Sequence, residues 1–380
     1  MSSAVIVGYK RSPFTIARKG NLSDVRPEDI LSQVINDLVK STSINKNDIE
    51  DIIAGCAYPE GEQGFNIAKI VSFMTGMPEH VAGMTVNRWC GSSMQAIHNA
   101  AGAIAMGSGK VFICAGVESM TRVPMLGFNP MPHPKLLEDQ PNVYLSMGVT
   151  AENVAKRYKL GREEQQSFAI SSHKKAFKAQ KNGNFDQEIT PINNGNSKVT
   201  QDGGIRPETS QAVLDGLKLA FDQNGTITAG TSSPLTDGAA ATLICEEEYA
   251  KSHNLEIMAR IKSTAVNGCA PEVMGLGPIG ASKKALDRAG ISSKDLGVIE
   301  LNEAFASQSL ACIKDIGLDE NAVNIDGGAI ALGHPLGATG ARITGKAAQL
   351  LKREGEKYAL ATQCIGLGQG IATVLEAIEK

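Results

Sequence analysis

Asp48-Ile49-Glu50-Asp51-Ile52-Ile53 leads on to Cys90, ahead of a helix of small residues, and then to the strand-like Lys110-Val111-Phe112-Ile113. A second stretch, Asp295-Leu296-Gly297-Val298-Ile299, leads at closely similar separations to His334, ahead of another small-residue helix, and then to Lys357-Tyr358-Ala359-Leu360. A recurring order of this kind is one structural unit used twice. Strand-like runs alternate with helical patterns along most of the chain, so the expectation is a duplicated α/β fold with largely parallel sheets. Cys90 and His334 then occupy equivalent points of the two units. If the halves pack about a pseudo-two-fold axis, the two helix ends face each other.

The repeat is interrupted. From about residue 120 to 230 the chain is first rich in Pro, Asn, His and Met, then carries a polar helix over Glu163 to Gln180 and turns such as Lys181-Asn182-Gly183-Asn184. The first unit resumes near the apolar strand Ala239-Ala240-Ala241-Thr242-Leu243-Ile244. The expected organisation is an N-terminal half over 1–119 plus 231–256, an inserted loop domain over 120–230, and a C-terminal half over 257–380. Long insertions on rigid scaffolds usually carry substrate contacts.

Composition narrows the class. The chain has 380 residues, enough for a large core, with a formal net charge of −3 and no Lys/Arg cluster to mark nucleic-acid binding. No apolar run approaches the roughly 20 residues of a membrane-spanning helix. The strand Ala4-Val5-Ile6-Val7 begins too early for a targeting peptide to be expected. The seven cysteines are dispersed and none is spaced as in a zinc site or redox dithiol, which points to a reducing, cytoplasmic compartment and no metal.

Four segments could carry chemistry. In Met84-Thr85-Val86-Asn87-Arg88-Trp89-Cys90-Gly91-Ser92-Ser93-Met94, Cys90 stands where a helix presents unpaired N–H groups, which favour thiolate. On this segment alone it reads equally as a reactive thiol and as a buried core cysteine. His334 sits in Leu332-Gly333-His334-Pro335-Leu336-Gly337, rigidly held and accessible, although a lone His in a glycine loop is more often structural. Cys364 enters Cys364-Ile365-Gly366-Leu367-Gly368-Gln369-Gly370, a loop whose N–H groups can converge on an oxyanion. Asn302, in Glu300-Leu301-Asn302-Glu303-Ala304-Phe305, is at a strand-to-helix junction, where it reads as a reactive amide or as an N-cap.

Together, in order and spacing, these segments closely resemble the thiolase family over nearly the whole chain. The resemblance implies a five-layer α/β/α/β/α fold of two duplicated halves with a loop domain inserted in the first. It also implies an acyltransferase that cleaves 3-ketoacyl-CoA with CoA by a ping-pong route. Cys90 would be the nucleophile and carry the acyl thioester, His334 the base, and Cys364 the second acid/base. The N–H groups of Cys90 and Gly366 would hold one oxyanion, and His334 with a water positioned by Asn302 the other. Met147 and Ser233 match family positions along the CoA pantetheine channel. Coenzyme A enters as substrate and product, with no bound cofactor.

Trp89, the only Trp, stands where the family usually has a smaller or polar residue, and reads either as a wall of the acyl pocket or as packing at the helix start. Ser146 stands where short-chain biosynthetic thiolases place a His. With the Glu62-Gln63-Gly64-Phe65-Asn66 and Gly366-Leu367-Gly368-Gln369-Gly370 segments, this is more similar to the bacterial degradative 3-ketoacyl-CoA thiolases of fatty-acid β-oxidation. The alternative is a biosynthetic enzyme condensing two acetyl-CoA. The resemblance also suggests a homodimer or homotetramer, sometimes with a multifunctional hydratase/dehydrogenase subunit. A ketoacyl-synthase-type enzyme would need a second His where Cys364 stands. A non-catalytic acyl-CoA or lipid-binding protein would need none of Cys90, His334 and Cys364, and a Cys–His hydrolase would not need Cys364. Gly340-Ala341-Arg342-Ile343-Thr344-Gly345-Lys346 fails as a P-loop because Ala347 replaces the magnesium-binding hydroxyl. The glycines after Cys364 lack dinucleotide-fingerprint spacing.

Overall fold

The computed structural model describes residues 2–378. The longer strands of the main sheet are β1 (Ala4–Arg11), β2 (Asp51–Gly55), β3 (Ala82–Val86), β4 (Val111–Ser119) and β5 (Thr236–Glu246) in the first half. In the second they are β6 (Ala259–Gly268), β7 (Val298–Leu301), β8 (Tyr358–Ile365) and β9 (Gln369–Glu376). The helices that matter here are α1 (Pro27–Thr42), α2 (Ile67–Met74), α3 (Ser92–Ala105), α4 (Met147–Tyr158), α5 (Arg162–Lys181), α6 (Gly277–Ala289), α7 (Ala306–Ile316) and α8 (Leu336–Glu354).

The duplication is visible strand by strand. The first half runs β3-β2-β4-β5-β1 across the sheet, and the second runs β7-β8-β9-β6, with Val323 bridging Ile299 where a fifth strand would lie. Strand senses match as well. β2 is parallel to β3 and β4, as β7 is to β8 and Val323, while β5 and β9 pair antiparallel on both sides. The sheet is therefore mixed, not largely parallel as the alternating pattern suggested. The reason is connectivity: β9 returns through a tight hairpin from β8, and β5 returns after the long excursion from β4, so neither uses a parallel crossover. The halves join where Val5 and Ile6 of β1 pair with Arg260 and Ala259 of β6.

Helices complete five layers. α1 shows how local sequence sets each element. Pro27 opens its first turn beside Glu28 and Asp29, Lys40 closes its last turn, and Ser43 ends it in the left-handed region. Its buried stripe of Ile30, Leu31, Val34, Ile35, Leu38 and Val39 covers the outer face of the first sheet, along with α2. α6 and α7 cover the outer face of the second. α3 and α8 lie back to back in the middle, between strands of both halves.

That central layer is thin because small residues meet backbone. A β-carbon on Gly340 of α8 would lie 2.2 Å from the Met94 nitrogen of α3, and one on Gly116 of β4 would lie 2.1 Å from the Gly337 oxygen. After Ser119 the chain leaves the sheet, and the following residues pack α4 and α5 against the second half before Thr236 rejoins at β5. Buried ion pairs pin this excursion. Arg11 binds Glu188 at 2.7 Å and both oxygens of Asp202, and Lys346 of α8 binds Glu188 at 2.8 Å and Asp326 at 2.7 Å. Among the described residues no helix is long and apolar enough to cross a membrane.

Gly116→Ala should cost roughly 1–3 kcal/mol or more, since Gly337 O and Ser93 Cβ both block the new methyl and neither can swing away. Gly102→Ala, facing open space in α3, should instead gain up to about 1 kcal/mol. Urea denaturation of both variants checks the pair; equal midpoints would refute the close packing.

Candidate active site

Cys90 and His334 each stand one residue before a helix N-cap, Gly91 for α3 and Pro335 for α8. The helix starts meet: Ala341 N–H donates to Ser93 Oγ at 2.8 Å, and Leu336 packs in the same apolar cluster as Cys90. Before Cys90, Trp89 adopts a left-handed φ of 46°, with its N–H held by Asn87 Oδ1 at 2.9 Å. Ser92 Oγ donates to Trp89 O at 2.6 Å and accepts from Arg88 N–H at 2.9 Å. A positive φ at a bulky residue is uncommon, and these bonds hold it.

The backbone N–H groups of Gly366 and of Cys90 itself lie close enough to the Cys90 sulfur to lower the cost of its charge. They favour thiolate, as the helix start does, yet burial outweighs them and pushes the thiol up to about 11. The easier ionisation expected from position alone is thus reversed, because Cys90 sits among Ala17, Ala57, Tyr58, Met120, Val123 and Leu336. Cys364, in β8, is buried and held well above the ordinary thiol range by burial and then by the nearby Cys90. Its own apolar cluster is a different one: Ala151, Ile227, Met274, Ala304 and Phe305, with Met147 packed against it.

His334 is fully enclosed, and burial, followed by the Arg342 charge, lowers its pKa to about 3. It is therefore neutral, and its tautomer follows from its neighbours. Thr339 donates its hydroxyl hydrogen to Pro335 O at 3.1 Å, so its oxygen receives the Nδ1–H of His334 at 2.6 Å. Nε2 is left as an acceptor, 3.4 Å from Asn302 Nδ2. Asn302 Oδ1 is buried with no hydrogen-bond partner among the described residues, which suits a water or substrate donor.

Cys90 thus lies near Gly366 and Cys364, His334 contacts Asn302, and Met147 packs against the Cys364 cluster. Ser233 is on the adjoining loop, where its N–H and hydroxyl both donate to Ala304 O, at 3.0 and 3.2 Å. Its hydroxyl is engaged there, while α4 begins at Met147 with Ser146 as N-cap.

Three supporting residues escaped the sequence reading. Glu118, 1% exposed, accepts from the N–H groups of Ala57 at 2.8 Å, Tyr58 at 3.2 Å and Gly337 at 2.8 Å, and from Gln63 Nε2 at 2.9 Å. It fixes the first turn behind His334 to the loop beside Cys90. An acidic residue in the otherwise apolar run Val111–Ser119 was the available signal. Thr339 and Gln363, whose Nε2 donates to Cys90 O, carried no comparable signal.

With this geometry in view, comparison with known proteins is direct. Family models described as thiolase, N-terminal domain and thiolase, C-terminal domain match residues 4–248 and 255–377. The chain belongs to the thiolase family. It is similar to a 3-ketoacyl-CoA thiolase of Aliivibrio fischeri, 48% identical over 99% of this chain and 100% of that one. It also resembles a Bacillus subtilis 3-ketoacyl-CoA thiolase, 43% identical with the same coverage. Among solved structures, human mitochondrial 3-ketoacyl-CoA thiolase superposes with a TM-score of 0.91 at 35% identity, covering 100% of this chain and 99% of that one. The same human enzyme in complex with CoA gives the same score over 99% and 98%.

A thiol raised to about 11 stays protonated at neutral pH, and its small thiolate fraction grows with pH. Iodoacetamide labelling of Cys90, followed by peptide mass spectrometry, should therefore accelerate by about tenfold per unit between pH ~7 and ~10. A plateau at neutral pH would contradict the burial argument.

Proposed function

We propose that this protein cleaves 3-ketoacyl-CoA with CoA, giving acetyl-CoA and an acyl-CoA shortened by two carbons. The observation that carries the reading is Cys90 close to the Gly366 N–H and to Cys364, at a helix start packed against the helix that follows a neutral His334 whose Nε2 is an acceptor. The full-length similarity to 3-ketoacyl-CoA thiolases supports the same conclusion.

In the first half-reaction, Cys90 Sγ attacks the 3-keto carbon while its proton passes to His334 Nε2. A resting thiolate–imidazolium pair is disfavoured, because burial raises the thiol and lowers the imidazole. Proton transfer therefore accompanies attack. The keto oxygen becomes an oxyanion facing the N–H groups of Cys90 and Gly366, worth ~10²–10³ in rate per donor. Cleavage of the C2–C3 bond leaves acyl-Cys90 and the carbanion of acetyl-CoA. Cys364 gives that carbanion its proton and becomes thiolate. His334 and Asn302 polarise the thioester oxygen, so that the departing charge is an enolate held by hydrogen bonds.

In the second half-reaction the Cys364 thiolate takes the proton of incoming CoA, whose sulfur attacks the acyl carbon. Cys90 leaves and recovers its proton from His334. Protons and electrons balance with no further reactant. Met147, against the Cys364 cluster, and Ser233 line the pantetheine arm, and the 120–230 excursion serves as the CoA-binding domain. Ser146 in place of a His, together with the relatives' names, favours degradation over acetyl-CoA condensation.

The protein also acts as a homo-oligomer. The outer edge of β3 is unpaired among the described residues, and beside it Phe65 is 94% and Phe73 64% exposed, with Met74 and Met84 also exposed. A free strand edge flanked by apolar side chains fits a second copy. Phe73→Asp combined with Met84→Asp should turn a dimer into monomers by light scattering; an unchanged mass would remove this face from consideration.

Incubation with acetyl-CoA should acetylate Cys90, and Cys90→Ala should abolish both labelling and acetoacetyl-CoA cleavage. Cys364→Ala should still acetylate Cys90 yet lose cleavage by ~10²–10⁴-fold. Normal turnover in Cys364→Ala would overturn its role, and unlabelled Cys90 in the wild type would overturn the whole reading. Rates over a ladder of 3-ketoacyl-CoA lengths separate the alternatives, a profile confined to the shortest favouring condensation.

A further inference from the structure

The Gly366 N–H that favours a Cys90 thiolate comes from the other half of the chain, so something must hold one half against the other at this point. The strand pairing that joins the halves is elsewhere, at Val5–Arg260 and Ile6–Ala259. Gly366 stands in the hairpin between β8 and β9, closed by the Ile365–Gln369 pair and turned through Leu367 and Gly368 at positive φ.

Three contacts tie this hairpin to the nucleophile turn. Gln363 Nε2 donates to Cys90 O from the outgoing strand. The Trp89 indole lies on the turn, where a β-carbon on Gly366 would come within 2.9 Å of it. On the returning strand, Arg88 Nη1 donates to Gln369 Oε1 at 2.9 Å. The guanidinium is anchored on its own side too. Its Nε donates to Gln95 Oε1 at 2.8 Å, and Gln95 Nε2 donates to Asn99 Oδ1 at 2.8 Å, both on α3. Arg88, two residues before Cys90, therefore reaches from the helix that follows Cys90 to Gln369, three residues after Gly366 in the hairpin.

We propose that Arg88 and Gln369 are positioning residues, their bond clamping the hairpin to the nucleophile turn and setting the spacing of the Cys90 and Gly366 N–H groups. This rests on the thiolase reading above. Oxyanion donors act only within a narrow geometric tolerance, and a displacement near 1 Å costs on the order of 10²-fold in rate. A planar guanidinium held at two edges is suited to such a task, because it fixes direction as well as distance.

The test uses shape-preserving variants of the full-length enzyme, Arg88→Met, Gln369→Met and the double variant, assayed for acetoacetyl-CoA thiolysis. Each single should lower kcat by about 10–100-fold while KM stays within about twofold, since the clamp acts on the transition state rather than on CoA binding. The double should be no worse than the poorer single, because each partner works only through the other. Arg88→Lys, which still reaches the Gln369 oxygen, should recover part of the rate. The clamp is overturned if folded Gln369→Met keeps kcat within about twofold of wild type, or if the losses multiply in the double. It is equally overturned if the rate falls only in proportion to folded protein by circular dichroism. Should Arg88→Met not fold, kcat of folded Gln369→Met decides the matter. A wild type that fails to cleave acetoacetyl-CoA would instead sink the thiolase reading, a separate result from an active wild type with indifferent variants.

Discussion

The contact on which the rest depends is the meeting of α3 and α8 at backbone distance. Gly340 leaves no room for a side chain against Met94, and the Ala341 N–H closes on Ser93 Oγ at 2.8 Å. Each helix is preceded by one residue of the proposed site, so the meeting of the helix starts ties the two halves of the chain together there. Glu118 holds the arrangement from below, joining Gly337 in the first turn of α8 to Ala57 and Tyr58 beside Cys90. A buried carboxylate is expensive, and its raised pKa reflects that burial. Four donors across two segments offset much of the cost and give it a direction.

Electrostatics at this site is decided by burial more than by helix ends. The start of α3 and two N–H groups favour a thiolate at Cys90, and the enclosing apolar cluster still wins. The same exclusion of water keeps His334 neutral, with Arg342 pushing in the same direction. A neutral thiol and a neutral imidazole would leave little charge to desolvate on entry of the apolar acyl chain of the proposed substrate. Charge appears only as the proposed reaction proceeds, and it appears next to donors already aimed at it.

The duplicated architecture was legible because the echo from Asp48 and Asp295 preserves the order of strand, reactive residue and strand in both halves. Strand direction was not. Side-chain periodicity reports which residues are buried, whereas the sense of β5 and β9 is set by the connections that precede them. Cys90, His334, Cys364 and Asn302 could be singled out because glycines and helix starts surround them. Glu118 left a fainter mark, one acid in a buried strand. Thr339 and Gln363 left none, since a Thr in a helix and a Gln in a strand are ordinary until packing gives them His334 Nδ1 and Cys90 O as partners. The reversal at Cys90 was hidden for a related reason: helix position is local, but the enclosing residues Ala17, Tyr58, Met120 and Leu336 come from four separate parts of the chain.

The two cysteines also differ in their surroundings. Cys90 is packed among Tyr58, Met120, Val123 and Leu336, contributed by the first half, the excursion that follows it, and the start of α8. Cys364 is packed among Met274, Phe305 and Met147, which belong to the second half and to α4. In the proposed mechanism an acyl group carried on Cys90 would have an apolar environment of its own, separate from the one around Cys364. A two-step transfer needs that separation, because acetyl-CoA must leave and CoA must enter while the acyl chain stays in place. The glycine hairpin stands at the boundary. It carries Cys364 on its outgoing strand and Gly366 at its turn, and it packs against Arg88 and Trp89, so one hairpin touches both clusters.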